Sequence, residues 1–103
     1  MAIVDLSVVC LGTGDTSVSA IVALAEREIR ASGLPSKLNP MSTTIEGSLE
    51  DIFALVVRIH DKLAEAGYGR ISTSLKIDDR RDREGSRMDA KLASVEEKLQ
   101  GSG

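Results

Sequence analysis

The 103-residue chain is poor in the residues that usually announce a chemistry. One phenylalanine, one tyrosine and no tryptophan leave nothing for nucleic-acid bases to stack on. Its 13 lysines and arginines are outnumbered by 16 aspartates and glutamates, a net charge of -3, so there is no basic footprint for a phosphate backbone. A lone cysteine, Cys10, excludes an intrachain disulfide and a thiolate metal cluster. A lone histidine, His60, has no second ligand type near it in sequence, so it reads as structural or solvated, and no metal site is expected. No apolar run approaches the ~20 residues that a bilayer-crossing helix needs. The opening segment MAIVDLSVVC lacks a basic start and carries Asp5 among its apolar residues, which argues against a secretory signal and for a cytoplasmic protein.

What remains is a globular composition, 42% hydrophobic and 28% charged, arranged in clear periodicities. Ile3 to Leu11 alternates, with Val4, Leu6, Val8 and Cys10 on a uniformly apolar face and Ile3, Asp5, Ser7, Val9 and Leu11 on a mixed one. Cys10 is therefore expected to be an inert, buried thiol. The following GTGD lacks the Lys-Ser/Thr ending of a phosphate loop and is a turn. Val18, Ile21, Val22, Ala25 and Ile29 recur at helical spacing, predicting a helix from about Ser17 to Ser32, stopped by Gly33 and Pro35.

Lys37 to Met41 and Thr43 to Glu46 are short extended segments with Ser42 between them, a tight hairpin or one bent strand. Pro40 cannot donate to a ladder, which makes the first of them an edge strand or a bulged one. Ser48 caps a second helix whose stripe is Leu49, Ile52, Phe53, Val56, Ile59 and Leu63, ending at Gly67. Arg70 to Asp78 alternates again, with Ser72, Ser74, Lys76 and Asp78 on its polar face. The charged run IDDRRDREGSR reads as a solvated loop. Met88, Leu92, Val95 and Leu99 then form a narrow stripe on a third helix, about Arg87 to Gln100, suited to docking on another surface.

The order strand, helix, strand, strand, helix, strand, helix predicts an α+β, ferredoxin-like βαββαβ sandwich with an additional C-terminal helix. Residues 1–100 are expected to be a single domain and 101–103 a disordered tail. Such a sheet has one face against the helices and one open. The open face should gather Asp5, Ser7, Thr44, Glu46, Ser72, Ser74 and Lys76, as a hydrated surface, around a ligand or within a subunit interface.

The stretches NPMSTTIEGSLEDIF, HDKLAEAGYGR and ISTSLKIDDRRD resemble the small thiamin-binding proteins of the YkoF-like superfamily, over nearly the whole chain. The resemblance implies a homodimer or homotetramer that binds thiamin or its hydroxymethylpyrimidine moiety without established catalysis. It points to the motif Thr43-Thr44-Ile45-Glu46-Gly47. An aminopyrimidine offers donors and acceptors that Glu46, Thr43, Thr44, Asp5, Ser7 and Ser74 could meet, with Met41 packing on the ring in place of an aromatic. No catalytic residue and no cofactor is expected, since the chain has no recognisable nucleophile-base pair. The alternatives are an oligomeric interaction or regulatory module sensing another small ligand, and an enzyme using Glu46, Asp5 or His60.

Overall fold

The chain is described from a computed structural model over residues 1–14, 18–82 and 87–101. The expected helix start at Ser17, the stretch Arg83 to Ser86, the side chain of Met88 and the tail residues Ser102 and Gly103 lie outside the described residues. The elements are β1 (Ala2–Cys10), α1 (Ser19–Ser32), β2 (Ser36–Leu38), β3 (Thr43–Gly47), α2 (Leu49–Glu65), β4 (Ile71–Asp79) and α3 (Arg87–Gly101). The strands form one antiparallel sheet in the order β2-β3-β1-β4, with β1 and β3 central. With α1 and α2 sharing a core against one face, this is the ferredoxin-like arrangement, and α3 is the addition.

Local chemistry sets the boundaries. Gly33 closes α1 at a left-handed φ of 75° and donates its N–H to the Arg30 carbonyl. The Ser48 hydroxyl caps α2 by accepting from the Asp51 N–H at 3.1 Å, while Glu50 and Asp51 sit at the positive end of the helix. The core joins Ala2, Val4, Leu6 and Ile45 of the sheet to Ile21, Ala25 and Ile29 of α1 and Ile52, Leu55, Ile59 and Leu63 of α2. Burial of each large aliphatic here is worth about 1.5–3 kcal/mol.

Two expectations about packing are corrected. The α2 stripe runs through Leu55 rather than Phe53, because steps of three and four from Ile52 reach Leu55 and Ile59, whereas Phe53 lies about 100° around the helix and is exposed. The hairpin turns at Pro40 and Met41, not at Ser42: the Asn39 N–H donates to the Ser42 carbonyl, and those two residues continue the β2–β3 register. β2 is a three-residue edge strand, as the proline permits.

Candidate functional site

Register fixes which side chains share the open face. One row runs Lys37, Thr44, Asp5, Lys76 across all four strands; the next runs Glu46, Ile3, Asp78. Ser7 lies opposite Ser74, and Val9 opposite Ser72. The alternation of β1 and β4 thus carries through to the folded chain, with Ala2, Val4 and Leu6 buried and Asp5, Ser72, Ser74 and Lys76 exposed.

A fork in the sheet makes the pocket. β1 pairs with β4 from Ala2 to Cys10 but with β3 only from Ala2 to Leu6, because the hairpin tip leaves the sheet beyond Thr43. The space opened there is a cleft of about 240 Å³. Its walls are apolar, among them Leu6 and Val8 of β1, Val22 and Ile29 of α1, and Leu38 and Met41 of the hairpin. Polar groups come from Ser7, Asn39, Ser42 and Thr43. Met41 stands at the rim with 87% of its surface exposed.

Two hydrogen-bonded sets hold the hairpin. On the helix side, the buried Thr43 hydroxyl donates to the Glu26 carboxylate at 2.7 Å. On the open side, the Thr44 hydroxyl donates to Asp5 Oδ1 at 2.8 Å and accepts from Asn39 Nδ2 at 2.8 Å. An ionised carboxylate is acceptor-only, so Thr44 must spend its proton on Asp5 and can only accept from Asn39. That order fixes the Asn39 amide with its nitrogen toward Thr44, and Asn39 itself lines the cleft.

The residues expected to form a site are therefore divided. Ser7, Thr43 and Met41 border the cleft; Asp5 and Thr44 reach it through Asn39. Ser74 sits across β1's ladder from Ser7, on the exposed face. Glu46 lies off the cleft, in the row where α3 leans on the sheet and Lys91 reaches Asp78 at 3.6 Å, and it is 1% exposed. Asn39 carries only a weak signal in the sequence, an asparagine before a proline in a hairpin, which marks a structured turn.

His60 Nε2 lies 2.6 Å from the Thr73 hydroxyl, bridging α2 to the helix-facing side of β4, away from the cleft. Cys10 is half-buried, and burial pushes its thiol above the ordinary value. Among the described residues no group of three or more His, Cys, Asp or Glu could hold a metal ion, and no helix is long and apolar enough to cross a membrane.

Comparison with known proteins places this geometry. The family model described as thiamine-binding protein matches residues 4–96. The UPF0045 protein YqgV of Bacillus subtilis is 39% identical over 104 residues, covering 97% of this chain and 99% of that protein. A hypothetical protein of Methanocaldococcus jannaschii superposes with a TM-score of 0.80 at 31% identity, over 93% of this chain and 96% of that one. A putative thiamine biosynthesis/salvage protein of Thermotoga maritima shares the fold, with a TM-score of 0.77 at 23% identity over 91% of this chain and 97% of that one.

Proposed function

The chain belongs to the thiamine-binding protein family, and on that premise we propose that it binds thiamin or, in preference, its hydroxymethylpyrimidine moiety, without catalysing a reaction. The observation that carries the reading is the cleft at the sheet fork. Its volume of about 240 Å³ lies just under the ~300–1,000 Å³ typical of pockets for drug-sized ligands. That suits one substituted ring better than two. Apolar walls from Leu6, Val8, Val22 and Ile29 would flank the ring, and Met41 would fold its flexible thioether over the open side.

In this reading Ser7, Thr43 and the Asn39 amide meet the polar edges of the ligand. Asp5 and Thr44 act through Asn39, and a thiazolium projecting from the cleft would find the Asp5 carboxylate on the open face. Glu46 and Ser74, which lie off the cleft, serve the sheet beside it. Titration calorimetry with thiamin and with hydroxymethylpyrimidine tests the proposal. Heat with the pyrimidine that is lost in Asn39→Ala supports it; no heat from either compound up to millimolar concentration refutes it.

The same protein would act as a homodimer or homotetramer in the cytoplasm, its residues 1–100 forming one domain. The motive is apolar surface on the outer side of α3, where Leu92 and Val95 are 58% and 53% exposed, together with Val9 and Leu11 on the open face. This surface also favours the second reading, an interaction or regulatory module. Light scattering decides: the oligomer should dissociate in Leu92→Glu, and a strictly monomeric parent protein removes both ideas.

A further inference from the structure

We infer that the main chain of Val8 reads the ligand in the cleft, its N–H and C=O pairing with an acceptor and a donor that lie side by side on one edge of the ligand, the edge that the aminopyrimidine proposed above presents. This rests on the binding function proposed above and names the chemical edge that is recognised. The hydrogen-bond phase of β1 provides the argument. At one end of the β1–β4 ladder the Leu11 N–H donates to the Arg70 carbonyl, and at the other the Arg80 N–H donates to the Met1 carbonyl. In an antiparallel pair such bonds recur at every second residue, so the odd-numbered residues of β1 face β4 and the even-numbered ones face β3.

The phase of β3 agrees. The Glu46 N–H donates to the Pro35 carbonyl on the β2 side, which turns Thr43, Ile45 and Gly47 toward β1. Ala2, Val4 and Leu6 thus meet Gly47, Ile45 and Thr43. Val8 is next, and its partner in that register would be Met41, but there the hairpin has already turned away. Among the described residues no main-chain hydrogen bond reaches Val8 from that side, and Val8 borders the cleft.

An extended residue presents its N–H and C=O on the same side of the strand, a donor beside an acceptor. The edge of a 4-aminopyrimidine is the complement: the ring nitrogen accepts from Val8 N–H while the exocyclic amine donates to Val8 C=O. The ligand would then take the place of the absent β3 residue and satisfy main-chain groups that otherwise face only water in an apolar cleft. A pyrimidine with hydrogen in place of the amine keeps the first bond and leaves the Val8 carbonyl unpaired.

The test is heteronuclear NMR of the isotope-labelled full chain, titrated with hydroxymethylpyrimidine and with its desamino analogue, beside calorimetry of both. The expected result is a downfield shift of the Val8 amide proton on binding, with the desamino compound bound about thirtyfold more weakly, the loss from one unmatched buried group. Binding with the Val8 amide unmoved, or equal affinity for the two compounds, overturns the inference and leaves the proposed function standing. Absence of binding by hydroxymethylpyrimidine and thiamin alike overturns both.

Discussion

Replacing Thr43 by valine removes one hydroxyl and almost no volume, and it isolates what the hairpin contributes to the fold. Thr43 is buried, and its hydroxyl donates to the Glu26 carboxylate, itself buried on α1. Arg30 Nε stands 3.8 Å from the other carboxylate oxygen, but its side chain is 76% exposed, so it screens the charge poorly and cannot take over the lost bond. A hydrogen bond to a charged group is worth about 1.5–3 kcal/mol, and valine should lose about 2 kcal/mol of that. For a domain of ~100 residues this lowers Tm by roughly 8–10 °C. Urea denaturation with Thr43→Val, Glu26→Gln and the double variant gives the coupling directly. Glutamine keeps the acceptor and loses the charge, so the threonine hydroxyl should be worth about 1 kcal/mol less in that background. A Thr43→Val protein within about 0.5 kcal/mol of the parent, the scatter expected of a surface change, would refute the claim that this bond fastens the hairpin to α1.

Ser48→Ala should cost about 1 kcal/mol in the same urea assay by removing the cap of α2; an unchanged midpoint would contradict the capping role. Gly47→Ala places a Cβ 3.2 Å from Leu34 Cδ2 and 3.7 Å from Ile52 Cγ1, and overpacking there should cost about 1–3 kcal/mol, read as a lower Tm. Cys10, whose thiol burial pushes upward, should react with iodoacetamide at mildly alkaline pH more slowly than in the urea-unfolded chain, as followed by mass spectrometry. Because the folded chain holds that proton more tightly, its contribution to stability is complete below the unfolded thiol's pKa and falls as pH rises toward the folded one.

The fold was legible because most of its elements alternate or repeat cleanly. Leu6 and Asp5 point opposite ways as a period of two demands, and the Ser48 cap and Gly33 stop can be read directly from their residue types. The site was legible only in part. The motif Thr43 to Gly47 divides its labour: Thr43 ties to α1, Ile45 is core, Glu46 is buried opposite Ile3 of β1, and Gly47 leaves room for Leu34. Within the folded chain these side chains hold the hairpin to α1 and to the core. The cleft itself depends on where β3 stops pairing with β1, a register fact that no local pattern encodes. Asn39 is oriented only through Thr44 and Asp5, partners five and 34 residues away that the hairpin brings into line.

The fork also divides β1 into two kinetic halves. From Ala2 to Leu6 the strand is flanked on both sides, whereas beyond it Ser7 and Val9 remain laddered to β4 while Val8 and Cys10 face the gap. Amide protons should therefore exchange with solvent in alternation along that half, slowly at Ser7 and Val9 and rapidly at Val8 and Cys10. A molecule seated in the gap would act as a removable rung. It would tie the hairpin to the central strand and slow exchange at Val8, so occupancy would be written into the protection of a single backbone position.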